Sequence, residues 1–239
     1  MPSETTFTFD SDDFALTGTL HLPDRQNPPV VIGCHGLLAN RHSVKQISLA
    51  KACNREGVAY FRFDHRGCGD SHGRFAEVTS LAARVNDLKD AIATLERRPD
   101  LGPPAALFGS SFGGTVVLEY AVQYGNPCAL VTYAAPINSA SIRRASIRDN
   151  NGEAPSAALL TESMAFDITP GLESLHDILV AHSENDETVP VDHAKEIYRS
   201  AGDRKKLIIF PGGDHCMSHA AHQQEFEVRF IEWISTCGR

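Results

Sequence analysis

The segment Gly109-Ser110-Ser111-Phe112-Gly113-Gly114 sets a serine hydroxyl between glycines placed two residues before and two residues after it. A hydroxyl attacks a carbonyl only when a base takes its proton and a carboxylate orients that base. A Gly-x-Ser-x-Gly turn holds its serine in a strained conformation, and side chains at the flanking positions would collide. Ser111 has glycine in both places, whereas Ser110 has Phe108 and Phe112 there, so Ser111 is the candidate nucleophile. Downstream, Ser183-Glu184-Asn185-Asp186-Glu187-Thr188-Val189-Pro190 follows one apolar run and Pro211-Gly212-Gly213-Asp214-His215 follows another. The order Ser111, Asp186, His215 is that of a nucleophile elbow with its acid and base on later strand ends. Glu184 and Glu187 compete with Asp186 and read most simply as solvated loop acids. His193, His219 and His222 compete with His215, but they fall within or beside helical stretches and read as surface histidines.

The oxyanion formed by such an attack needs two backbone donors. One candidate is the amide of Phe112, and the other is the amide of Leu37 in His35-Gly36-Leu37-Leu38. Leu38, Ile137, Met164 and Val189 are the candidate substrate-lining residues. Leu159, Met164 and Phe166 either line an acyl pocket from above or dock a lid. Arg143, Arg144 and Arg148 either steer an acidic substrate or form a solvated helix face balanced by nearby acids. A metal site from His215, Cys216, His219 and His222 is the rival chemistry, but no matching carboxylate pair supports it, so no metal or other cofactor is expected.

These residues must be carried by a scaffold. Strand-like runs occur at 5–9, 16–22, 30–34, 59–64, 105–108, 130–134, 178–182 and 207–210. The first two alternate, as in a half-exposed antiparallel pair, whereas VVIGC, ALF and ILVA are continuous apolar runs of strands buried on both faces. Helices are predicted at 80–97, 43–55, 112–124 and 191–201, with a last one carrying Phe226, Phe230, Trp233 and Ile234. In the first of these, Leu81, Val85, Leu88, Ile92 and Leu95 form one stripe, Thr79 or Ser80 caps the start and Pro99 ends it. Alternating strands and helices predict a doubly wound, mostly parallel eight-stranded sheet with helices on both faces and a site at the strands' carboxyl ends. The stretch 136–171 lacks a clear strand and reads as a small cap inserted into a single domain covering 1–239.

The arrangement resembles the α/β-hydrolase superfamily over nearly the whole chain. His35-Gly36 is similar to the oxyanion motif of that superfamily, and Asp64-His65-Arg66-Gly67-Cys68-Gly69-Asp70-Ser71 resembles its Asp-x-Arg-Gly-x-Gly-x-Ser turn, whose role there is mainly structural. The segments GDSHGRF and GGDHCMS are similar to cinnamoyl (feruloyl) esterases and serine-aminopeptidase-like hydrolases. The resemblance implies a serine hydrolase acting on a small-molecule ester, with peptidase and thioesterase activities, or a ligand-binding module, as alternatives.

Composition agrees with a globular protein: 239 residues, 42% hydrophobic and 22% charged. The net charge of -8 repels phosphate backbones and anionic lipid, so nucleic-acid and membrane partners are not expected. Six cysteines stand singly without a Cys-x-x-Cys pair and read as thiols. The acidic first residues, MPSETTFTFDSDD, do not resemble a secretory signal, which gives a cytoplasmic expectation.

Overall fold

In the computed structural model, which describes residues 2–142 and 165–237, every predicted strand is present. They are β1 (Ser3–Ser11), β2 (Phe14–Leu22), β3 (Val30–Cys34), β4 (Ala59–Phe63), β5 (Pro104–Ser110), β6 (Ala129–Tyr133), β7 (Ile178–Ser183) and β8 (Lys205–Phe210). They form one sheet in the order β1-β2-β4-β3-β5-β6-β7-β8. β1 and β2, and β2 and β4, pair antiparallel; the remaining pairs are parallel. The helices are α1 (Val44–Arg55), α2 (Phe75–Val78), α3 (Leu81–Glu96), α4 (Phe112–Tyr124), α5 (Asp192–Ser200) and α6 (Ala220–Cys237). The four-residue α2 and a 3₁₀ turn at Thr169–Ser174 have no counterpart in the sequence reading.

Strand alternation divides the core in two. Ile32, Phe61 and Leu107 face α3 and α4, where they meet Leu88, Ile92, Val116 and Val117. Their neighbours Val31, Tyr60 and Phe108 face α1 and α6, against Leu49, Phe226 and Phe230. Burying both faces explains the unbroken apolar runs of the central strands. Ser80 caps α3, its hydroxyl accepting the Ala83 N–H at 3.1 Å. Gly125, at φ 88°, ends α4.

The half-exposed reading of β2 is corrected: Leu16 through His21 are all buried. Leu16 and Leu20 lie in the core, while the polar face is roofed by other polar groups. Ser71 Oγ accepts the Thr17 N–H at 2.9 Å, and Arg62 Nε donates to His21 Nε2 at 2.8 Å. Polar alternation therefore marked a buried hydrogen-bonded face, not solvent.

The described ends of the stretch 136–171 are joined. Asn138 bridges Asp167, Ser139 N donates to Phe166 O at 2.9 Å, and Ile168 N donates to Ile137 O at 2.9 Å. Leu159, Met164 and the arginines at 143, 144 and 148 lie outside the described residues. No helix among the described residues is long and apolar enough to cross a membrane.

Candidate active site

Ser111 stands where β5 turns sharply into α4, at φ 54° and ψ -127°. For a residue other than glycine such a backbone costs about 1–3 kcal/mol and persists only when its surroundings enforce it. Here they do: Ser111 N donates to Tyr133 O at 2.7 Å, and Gly114 N donates to Ser111 O at 2.8 Å. A Cβ at Gly109 would strike the Gly113 carbonyl, and one at Gly113 would strike the Cys34 carbonyl. The glycines on either side of Ser111 are therefore steric requirements of the turn.

The loops after β7 and β8 bring Asp186 and His215 to the same end of the sheet. His215 Nε2 lies 3.1 Å from Ser111 Oγ, and His215 Nδ1 lies 2.8 Å from Asp186 Oδ2. An ionised carboxylate can only accept, so the imidazole carries its proton on Nδ1 and turns the Nε2 lone pair to the serine hydroxyl. Asp186 has a fully buried side chain, whereas that of His215 is 17% exposed. Asp186 Oδ1 accepts the N–H groups of Thr188 at 2.9 Å and Val189 at 2.7 Å, and His182 Nε2 stands 3.2 Å from Oδ2. Burial pushes the Asp186 pKa up, but hydrogen bonds from His182, His215 and the Val189 amide outweigh it and hold the carboxyl well below the usual range.

Glu184 and Glu187 are exposed and serve the histidine loop instead. Glu184 Oε2 accepts the Gly212 N–H at 3.1 Å, and Glu187 Oε2 accepts the His215 N–H at 3.1 Å. From the other side Lys45 Nζ donates to Cys216 O at 2.8 Å, and Tyr133 Oη donates to Asp214 O at 2.7 Å. The reading of His193 as a surface histidine is corrected. It is buried on α5, where Nδ1 accepts the Ile137 N–H at 3.1 Å and Nε2 stands 2.8 Å from Ser141 Oγ. It therefore braces the segment that follows β6. His219 and His222 stack with ring centroids 5.0 Å apart. Among the described residues no group of three or more His, Cys, Asp or Glu side chains is placed to hold a metal.

The loop His35-Gly36-Leu37-Leu38 leaves β3 beside the serine: a Cβ built on Gly36 would lie 3.5 Å from Ser111 Cβ. His35 Nε2 accepts the His65 N–H at 3.1 Å, which leaves the proton on Nδ1 to donate to Gly36 O at 2.7 Å. Burial pushes the His35 pKa well below its ordinary value, helped by His65 and Arg84. Phe112, the other candidate donor, begins α4, where unpaired amides and the helix dipole favour negative charge. Its ring packs on Phe166 at 5.6 Å between centroids. Of the candidate lining residues, Leu38 is half-buried and Ile137 and Val189 are buried. Val189 presents its N–H to Asp186 and its carbonyl to His182 Nε2 at 2.9 Å.

Sequence reasoning passed over His182, four residues before Asp186, and Arg84, which donates to Leu37 O at 2.8 Å. A charged residue at the spacing of the Leu81–Leu88 stripe was the available signal for Arg84.

Comparison with known proteins adds a family context. Residues 25–164 match the family model described as serine aminopeptidase, S33. The chain is 31% identical over 176 residues to the uncharacterized protein YfhR of Escherichia coli (strain K12), covering 73% of this chain and 59% of YfhR. It is 34% identical over 94 residues to the mitochondrial palmitoyl-protein thioesterase ABHD10 of Mus musculus, covering 39% of this chain and 30% of that protein. The chain spans less than two thirds of the length of these curated relatives. Among solved structures, Est1E from Butyrivibrio proteoclasticus with ferulic acid bound shares the fold at a TM-score of 0.80, over 96% of this chain and 99% of that one, at 18% identity.

Proposed function

The chain belongs to the serine aminopeptidase, S33, family of α/β hydrolases, and from that premise we propose that it cleaves carboxylic esters through an acyl-enzyme on Ser111. The observation that carries this reading is the relay from Asp186 through His215 to Ser111, with links of 2.8 Å and 3.1 Å ending on a strained, glycine-flanked serine.

Ser111 Oγ attacks the ester carbonyl while His215 Nε2 takes its proton. Asp186 keeps the imidazole in the working tautomer and stabilises the imidazolium. Negative charge collects on the former carbonyl oxygen, and the amides of Leu37 and Phe112 receive it; each such donor is worth about 3–4 kcal/mol in the transition state. His215 returns the proton to the leaving alkoxide. Water, deprotonated by the same nitrogen, then attacks the acyl-enzyme and releases the acid. The substrate is a small ester; Leu38, in the loop after β3, and Ile137, in the loop after β6, are the described residues proposed to line its site. Short-chain or aryl esters are its class, and the fold shared with Est1E supports the aryl option.

Thioesters are a second reading, favoured by the 34% identity to the palmitoyl-protein thioesterase. Steady-state hydrolysis of short-chain p-nitrophenyl esters, methyl ferulate, an acyl thioester and aminoacyl p-nitroanilides ranks these classes. Ser111→Ala should abolish turnover of every accepted substrate in a folded protein. Near-native esterase activity in that variant would overturn the reading.

A further inference from the structure

We propose that Arg84 is a positioning residue for the oxyanion site, an inference that rests on the Ser111 reading. Arg84 lies on α3 on the same face as Val85 and Leu88, and its side chain is fully buried. Burying a guanidinium costs several kcal/mol unless its N–H groups find strong acceptors. Its hydrogen-bond partners are not carboxylates. Nη1 donates to Gly36 O at 3.3 Å, and Nη2 donates to Leu37 O at 2.8 Å and to Cys68 Sγ at 3.2 Å. The cation also lies over the Phe112 ring, 5.3 Å from its centroid, and over the Phe75 ring at 5.7 Å.

One buried cation thus touches both residues whose amides are the candidate oxyanion donors. The Gly36 carbonyl and the Leu37 N–H belong to a single planar peptide and point in opposite directions. Arg84 and His35 Nδ1 together hold that carbonyl, so they fix where the Leu37 N–H points. The second bond, to Leu37 O, pins the following peptide and leaves the loop no freedom to flip. A positive charge behind the peptide also polarises it, which makes its N–H a stronger donor. Such help is worth most when negative charge develops on the substrate oxygen, so it should appear in turnover rather than in ground-state binding.

The test compares native protein with Arg84→Lys and Arg84→Met. Thermal melts verify folding, and titration with a fluorophosphonate counts active sites. For a p-nitrophenyl ester, kcat per active site should fall about tenfold or more in Arg84→Met with KM changed by less than about threefold. Affinity for a trifluoromethyl ketone, which forms a tetrahedral adduct on the serine, should fall in step with kcat/KM. Arg84→Lys should recover part of both, because it restores the charge without the fork. Unchanged kcat per active site in the folded variants would overturn the proposal. Failure of both variants to fold would overturn it too, in favour of a purely structural role. Ser111→Ala, assayed alongside, separates the two levels. Activity surviving there sinks the hydrolase reading, whereas Ser111-dependent turnover indifferent to residue 84 sinks only the role of Arg84.

Discussion

The two flanks of Ser111 are built from different interactions. On the β3–β4 flank, the side chains of Asp64, His65, Arg84 and Asp87 are all fully buried and wired by charge. Asp87 takes Arg66 Nε at 2.7 Å, the Arg66 N–H at 3.0 Å and His65 Nδ1 at 3.2 Å, while Arg41 bridges Asp64 and Asp70. On the β7–β8 flank Asp186 is buried, but its loops are tied by exposed carboxylates accepting single amides. A site for a developing anion needs dipoles that do not move, and buried ion pairs supply that rigidity. In the proposed mechanism His215 shuttles a proton and must change charge, and its side chain keeps contact with water. Losing one partner of a buried pair costs about 3–5 kcal/mol, whereas losing an exposed amide–carboxylate bond costs about 1 kcal/mol.

That contrast sets the order of the expected effects. Asp186→Asn should lower kcat by about 10³–10⁴ with the fold intact, because the amide no longer enforces the working tautomer; steady-state kinetics with a circular dichroism control reads it. Asp87→Ala should destabilise the protein by about 3–5 kcal/mol in urea unfolding, because Arg66 Nε, the Arg66 N–H and His65 Nδ1 lose their buried acceptor, although Arg66 keeps its bonds to Ser11 and Asp12. Equal destabilisation by Glu187→Ala would erase the distinction between the flanks. The third effect is a pH dependence. Burial lowers the His65 pKa to about 4, the Asp87 hydrogen bond opposing it only in part, against about 6.5 when unfolded. Between those values the unfolded chain binds the extra proton, so stability is complete above about pH 6.5 and declines as pH falls toward about 4. His65 contributes about 3 kcal/mol to that loss, and urea midpoints across the window should flatten in His65→Gln. Smallest is Glu187→Gln, which still accepts the His215 N–H and should change kcat by less than about threefold.

The same contrast explains what could be read from the chain. The central strands were legible because a doubly buried strand needs an unbroken apolar run, and β1 and β2 because their residues alternate. The candidate nucleophile was legible because its turn demands glycines at fixed offsets, and Asp186 and His215 because they follow such strands. These signals are local. The charged flank is not: Arg84 meets Leu37 across 47 positions, and His65 meets Asp87 across 22. On α3 the apolar stripe was visible, while Arg84 and Asp87, on the same buried face, were given no role. His193 and the polar face of β2 were misread for the same reason, since polar residues were assigned to water when their partners lay elsewhere in the chain.

Covalent labelling tests the central claim most directly. A fluorophosphonate needs an activated serine, so incubation followed by peptide mass mapping should place a single adduct on Ser111 in the native protein. Asp186→Asn should slow its formation, and Ser111→Ala should abolish it. A folded native protein that stays unlabelled, or an adduct on Ser110 or elsewhere, would contradict the account.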